Sequence, residues 1–165
     1  MPAQTVIDSL EFARTGQTFS GGLAISGLLR LKESLSDNTG ELRFEVKGGH
    51  DTRRRPVLVL EVSGLLQLQC QRCLGPLEFP LRISNTLLLA GTAEEGESFE
   101  QEEAEWVEAS PALDIAGLVE DEIILSLPYS ARHGEGQCRQ VAGTEAGKAG
   151  GPAFAALAAL KRNTH

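Results

Sequence analysis

The sequence is poor in aromatic side chains, with one Trp, one Tyr and six Phe among 165 residues. Proteins that bind single-stranded RNA on an open platform stack its bases on rows of aromatic residues interleaved with Arg. The sequence contains no such row, and it has no glycine-rich phosphate loop of the P-loop or dinucleotide-binding form. These absences argue against a stacking RNA platform and against a nucleotide-dependent enzyme.

A recognisable catalytic arrangement is also missing. His50 and Asp51 stand in a polar turn with no nucleophile beside them. The adjacent acidic residues Glu120, Asp121 and Glu122 diverge if they lie on a helix, so we expect them to form a solvated face. No set of general acid, general base and metal-bound water is evident, and we expect a protein without enzymatic activity.

Long apolar runs are absent, and cysteine is scarce. No stretch approaches the ~18 apolar residues of a membrane span, and Met1 to Ser20 lacks the features of a secretory signal. Three cysteines cannot all pair within one chain, which favours free thiols or a metal in a reducing compartment. We therefore expect a soluble, cytoplasmic protein with no membrane partner.

The negative charge is concentrated in one segment. The formal net charge is −8, but the segment from Glu94 to Glu108 contains eight Glu and no basic residue. We expect this acidic segment to be either a solvated, mobile loop or a docking surface for a basic partner. Arg53, Arg54 and Arg55 form the only basic cluster in the body of the chain, which is a weak signal for contact with nucleic acid.

Period-two alternation of apolar residues dominates the middle of the chain. It begins with Leu42, Phe44 and Val46, and it returns between 57 and 70 and between 77 and 83. Such alternation predicts half-buried strands. Within them, Gly64 predicts a β-bulge and Pro80 predicts an edge or bulge position.

Helical spacing brackets these strands. It predicts helices near Leu28 to Leu35 and Ile115 to Ile124, with Asp114 as N-cap of the second and Pro128 beyond its end. The expected fold class is α+β: a twisted, mainly antiparallel sheet, either open or partly closed into a barrel, with flanking helices. We expect one domain over residues 1–138 with an acidic loop at 92–110, then a flexible linker and a short tail helix over 139–165.

Cys70 and Cys73 are three residues apart between two strand-like segments. A redox-active pair usually has its first Cys at a helix N-terminus, and the flanking alternation predicts no helix there. A structural zinc ion needs four donors, and His133 and Cys138 are candidates for the other two. The spacing leaves two interpretations open: a zinc site formed by these four residues, or thiols that only pack.

Three separated segments together resemble the YceD-type bacterial proteins, which are large ribosomal RNA subunit accumulation proteins. The segments are "CQRCLGPL", "DIAGLVEDEIILSLPYSARHGEGQC" and "FAALAALKRN". The N-terminal "FARTGQTFSGGLAISGLLRL" extends the resemblance over most of the chain. The positions that the resemblance marks are Cys70, Arg72, Cys73, Glu120, Asp121, Glu122, Pro128, His133 and Cys138.

The resemblance implies a factor that supports the synthesis, processing or stability of 23S ribosomal RNA, and it leaves the mechanism open. In one hypothesis the acidic segment and the "VEDE" face of Glu120, Asp121 and Glu122 bind a basic large-subunit ribosomal protein. In another the protein is a zinc-stabilised module that touches 23S RNA through Arg53, Arg54, Arg55 and Arg72. An rRNA-processing ribonuclease is the least favoured hypothesis, because a catalytic constellation is missing.

Overall fold

The computed structural model describes residues 6–138, and the predicted linker and tail helix at 139–165 lie outside this range. None of the helices in the described range is long and apolar enough to cross a membrane. The chain forms β1 (Val6–Ile7), α1 (Ser9–Thr15), β2 (Thr18–Ala24), β3 (Leu35–Asp37), β4 (Glu41–His50), β5 (Pro56–Gln69), β6 (Pro76–Ala90), α2 (Ala93–Glu100), β7 (Trp106–Glu108), β8 (Leu113–Asp114) and α3 (Ile115–Ser126). Two 3₁₀ turns, Ile25–Gly27 and Leu31–Ser34, separate β2 from β3.

The main sheet has six strands, and its principal order is β2-β4-β5-β6-β7. Strand β3 pairs with β5 beyond the end of β4. All pairs are antiparallel except β6 with β7, which is parallel. The α+β prediction is confirmed. Over residues 6–138 the sheet is open, with β2 and β7 at its two ends, so a closed barrel is not formed.

The core lies on one face of this sheet. Because side chains alternate along a strand, Leu42 and Val46 of β4 and Leu58 and Leu60 of β5 all point to that face, where they are fully buried. Helix α3 covers the core with Ile115 and other buried apolar residues, and Asp114 caps the helix by accepting the N–H of Ala116, as predicted. Each large apolar side chain buried in this way contributes about 1.5–3 kcal/mol.

Gly64 does not form the predicted bulge. The register between β5 and β6 runs unbroken through Gly64, which stands opposite Leu81. A Cβ at Gly64 would lie 2.3 Å from Cδ2 of Leu42, so the glycine is required by close packing of β4 against β5. Pro80 lies where β6 has no second neighbouring strand in the described chain, because β7 pairs only with Leu88 to Ala90. The predicted edge position of Pro80 is confirmed.

The α-helix expected near Leu28 to Leu35 is not formed, and the segment contains only the 3₁₀ turn Leu31–Ser34, whose start is held by a carboxylate from α3. Oε1 of Glu120 accepts the backbone N–H groups of Arg30 at 2.7 Å and Leu31 at 3.1 Å, and Oε2 accepts Nε of Arg30 at 3.1 Å. The first N–H groups of a helical turn have no partner within it, so Glu120 satisfies the donors at the start of this 3₁₀ turn. Leu28 and Leu31 are buried, but Leu35 already belongs to strand β3.

The acidic segment is folded, contrary to the expected loop. Helix α2 is capped by Thr92, and β7 adds a parallel strand to the sheet. Phe99 is buried with Val57, Leu88 and Ala90 in a second small core, against which Trp106 packs. A Cβ at Gly96 would lie 2.4 Å from the Trp106 ring, so helix and ring are in close contact. Packing of Phe99 and Trp106 therefore orders the acidic segment, although its composition alone predicted a mobile loop.

The bonds of Glu120 give a first prediction. Replacing Glu120 by Ala leaves two backbone N–H groups without acceptors, and we expect a loss of about 3 kcal/mol in the free energy of unfolding. Glu120→Gln keeps a carbonyl oxygen for both N–H groups and should lose clearly less. Asp121→Asn, which removes a half-exposed ion pair, should lose under about 1 kcal/mol. Urea denaturation of the three variants checks this order, and equal losses for Ala and Gln would contradict it.

Candidate metal centre

Cys70 and Cys73 lie at the corner of the β5–β6 hairpin, as the alternation predicted. The strands end with Gln69 opposite Pro76. The corner is closed by two backbone bonds, from the N–H of Cys70 to the carbonyl of Gly75 at 2.9 Å and from the N–H of Leu74 to the carbonyl of Cys70 at 2.8 Å. Both cysteines are thereby held on one tight turn between two strands.

His133 and Cys138 reach this turn because the segment after α3 folds back onto it. The N–H of Gln71 donates to the carbonyl of Ala131 at 2.8 Å. Nη2 of Arg72 donates to the carbonyls of His133 at 3.0 Å and Gly134 at 3.2 Å. Hydrogen bonds from the hairpin corner thus position the second half of the cluster.

The four ligand atoms converge as tightly as a metal site requires. All of them lie within 4.8 Å of one another. Sγ of Cys70 is 3.8 Å from Sγ of Cys138, and Nδ1 of His133 is 3.4 Å from Sγ of Cys73 and 3.8 Å from Sγ of Cys138. Sulfur and nitrogen ligands of a tetrahedral zinc ion are separated by roughly 3.5–3.8 Å. The Cys₃His cluster has a geometry that can hold a metal ion.

The ring of His133 is already oriented for coordination. Nε2 lies 2.9 Å from the carbonyl oxygen of Pro76, which can only accept, so Nε2 carries the proton. Nδ1 of the neutral ring is then unprotonated and faces the thiols of Cys73 and Cys138. A hydrogen bond of this kind from the second ring nitrogen is the usual support for a metal-binding histidine.

The surroundings favour the thiolate, the form in which cysteine binds metals, at Cys70 and Cys138, whereas desolvation and these two neighbouring thiols raise the pKa of Cys73. The backbone N–H of Cys73, with further N–H groups of His133 and Arg72, lowers the pKa of Cys70 to about 5. The guanidinium of Arg72 lowers the pKa of Cys138, and its Nε lies 3.0 Å from that sulfur. Hydrogen bonding to Cys138 raises the pKa of His133, so a metal ion would compete there with a proton.

Arg72, a candidate RNA contact in the sequence, is exposed, and its guanidinium makes hydrogen bonds within the chain. It bridges the Cys138 sulfur and the carbonyls of residues 133 and 134. The arrangement makes Arg72 a support of the cluster.

The arginine cluster at 53–55 faces the acidic segment. Glu102 accepts from Arg53 at 2.8 Å and from Arg55 at 3.1 Å. Arg55 also bonds Oδ2 of Asp51 at 2.7 Å. Arg54 adopts a positive φ of 63° in the turn. Because carboxylates engage two of the three guanidinium groups, the cluster presents less positive charge than its sequence suggests.

The acidic residues of α3 do not form the expected solvated face. Glu120 and Glu122 are buried, at 7% and 6% exposure. Asn85 donates to Glu122 at 2.5 Å, and Asp121 is paired with Arg30 at 2.5 Å. Sequence reasoning missed Arg30 and Asn85, because no local pattern connects either residue with α3.

Comparisons with known proteins add a relation over most of the chain. Residues 58–161 match the family described as "Large ribosomal RNA subunit accumulation protein YceD". A protein of that same name from Haemophilus influenzae is 31% identical over 170 aligned residues, which cover 94% of this chain and 94% of that protein. No solved structure shows a significant match.

The buried carboxyl of Glu122 gives a second prediction. Burial raises the pKa of Glu122 above its ordinary value of 4.5, so its charged form destabilises the folded state at higher pH. Glu122→Gln keeps an oxygen that accepts from Asn85 but carries no charge. We expect the variant to melt at or above the wild-type temperature at pH 7, and its advantage to vanish below about pH 4.5. Thermal melts across pH check this, and a constant difference would contradict it.

Proposed function

The chain belongs to the YceD family, and from this premise we propose that it is a non-catalytic, cytoplasmic factor that supports the accumulation of large-subunit 23S ribosomal RNA. The observation that carries the proposal is the match over 94% of the chain to a relative named for this role. The hairpin corner "CQRC" and the "VEDE" residues both lie within the range that matches the family.

Removal of the protein tests this proposal. We expect a deletion strain to show a lower ratio of 23S to 16S RNA and fewer free large subunits on a sucrose gradient. Restoring the wild-type gene should restore both. An unchanged ratio together with an unchanged subunit profile would contradict the proposal.

We further propose that the direct partner is a basic protein of the large subunit. All eight glutamates from Glu94 to Glu108 are exposed, and α2 and β7 display them on a folded surface. Glu102 neutralises part of the cluster at Arg53 to Arg55. The surface charge supports attraction of a cationic partner, and it supports direct contact with RNA phosphates less well.

Capture experiments with and without RNase distinguish the two partner classes. We expect large-subunit proteins to remain bound to the full-length protein after RNase treatment. Replacing Arg53, Arg54 and Arg55 together by Ala should change this capture less than twofold, because a basic partner gains nothing from them. Loss of all partners with RNase, or a weaker salt dependence of RNA binding in the triple variant, favours direct contact with 23S RNA.

The Cys₃His cluster supports the proposal of a structural zinc ion held by Cys70, Cys73, His133 and Cys138. Three thiolates and one imidazole are a common closed ligand set for zinc, and the ligand separations match a tetrahedral ion. In this proposal the ion stabilises the attachment of the segment after α3 to the hairpin corner.

Elemental analysis tests the zinc proposal. We expect about one zinc ion per chain in protein purified without added metal. A chelator should lower Tm by about 10 °C, the shift that a loss of roughly 3 kcal/mol produces in a protein of this size. Cys73→Ser should lose the ion and show no chelator response. Zinc well below one ion per chain in the wild type, a wild-type Tm that chelator leaves unchanged, or full zinc content in Cys73→Ser would contradict the proposal.

A further inference from the structure

A groove crosses the open face of the sheet beside the Cys₃His cluster. It has a volume of about 740 Å³ and lies between β3, the end of β5 and the hairpin corner. Two exposed apolar side chains line it: Leu65 at 47% and Leu74 at 65% exposure. Leu35 and Pro76 contribute further apolar surface. Exposed large apolar residues gathered in one concave site are typical of a binding surface.

Leu74 is held there at a conformational cost. It follows Cys73 in the hairpin corner and has a φ of 58°, in the left-handed region that a branched side chain avoids. Burial in the core does not offset this cost, because most of the side chain is in solvent. Glycine would satisfy the same backbone without strain. A leucine that is both strained and exposed points to a contact made outside the described chain.

The charges around the groove have one sign. Its lining includes the carboxylates of Asp37 and Glu41 and no Lys or Arg. An apolar floor with an acidic rim complements a segment that carries apolar side chains next to Lys or Arg. RNA phosphates would be repelled, and the net charge of −8 disfavours a second copy of this chain.

We propose that this groove docks a segment of a basic partner protein, with apolar side chains against Leu65 and Leu74 and cationic side chains at Asp37 and Glu41. The inference rests on the proposed function, from which it takes the partner class, and it adds the place of contact. Leu74 directly follows Cys73, and its N–H donates to the carbonyl of Cys70 at 2.8 Å, so the hairpin corner that carries the Cys₃His cluster also positions the backbone of Leu74.

Leu74→Gly separates binding from folding. The substitution removes the apolar contact and also relieves the backbone strain, so stability and binding should change in opposite directions. The probe is the RNase-treated, salt-extracted protein fraction of purified large ribosomal subunits, applied to immobilised full-length protein. We expect Leu74→Gly to melt at or above the wild-type temperature, to keep its metal content, and to retain about tenfold less of the basic proteins.

The acidic rim is tested by Asp37→Asn combined with Glu41→Gln. We expect retention to fall and to depend less on salt. The matched controls are Leu125→Ala, which removes a leucine that is 79% exposed outside the groove, and Glu61→Gln, which removes a carboxylate elsewhere on the open face. Both controls should retain the basic proteins as the wild type does.

Several outcomes would overturn the proposal. If Leu74→Gly and the rim variant retain the basic proteins as well as the wild type does, the groove is not the binding site, but the proposed function still stands. If the wild type retains none of the basic proteins, both the groove proposal and the protein-binding mechanism are wrong. A dimer in sedimentation that Leu74→Gly dissociates assigns the groove to a second copy. Methyl signals of Leu65 and Leu74 that move when Phe154 and Leu157 are replaced by Ala assign it to the chain's own C-terminal segment.

Discussion

The structure depends on the pairing of β5 with β6, which runs without interruption from Val57 opposite Leu88 to Gln69 opposite Pro76. This hairpin gives the core most of one wall. Its open end carries the acidic unit of α2 and β7, and its closed end carries the cysteine turn. Because both ends belong to one rigid element, the acidic surface and the Cys₃His cluster keep fixed positions on the same scaffold.

The acidic residues divide into two groups with different physical roles. Glu120 and Glu122 are buried, and a buried carboxylate is tolerated only when it is hydrogen-bonded. Their hydrogen bonds to Arg30 and Asn85 connect α3 to segments that are far away in the sequence. The glutamates of the acidic segment are exposed and attract cations over a distance, although Glu102 already pairs with Arg53 and Arg55. Arg30, Arg55 and Arg72 meanwhile have their guanidinium groups in contacts within the chain. The exposed negative charge is therefore concentrated in the acidic segment.

Local patterns predicted the parts of the structure that local forces determine. The alternation around Leu42 and Leu58 predicted strands, and Asp114 predicted the start of α3. The "CQRC" pair and the two further donors in "HGEGQC" were candidate zinc ligands in the sequence, which left open whether they bind an ion or only pack. The failures have long-range causes. The segment at 28–35 forms only a 3₁₀ turn, and the carboxylate that holds its start, Glu120, lies about 90 positions away. The segment at 94–108 is ordered because Phe99 and Trp106 find apolar partners on β5 and β6.

We propose that an ion in the Cys₃His cluster fastens the segment after α3 to the hairpin corner, next to the groove. Amide hydrogen exchange at Gln71 tests it most directly, because its N–H donates to Ala131 across that junction. We expect the Gln71 amide to be protected from exchange in the protein as purified and to lose that protection on chelation. The amide of Leu60 in the middle of β5 should stay protected in both cases. Equal protection of Gln71 with and without chelator would contradict the claim.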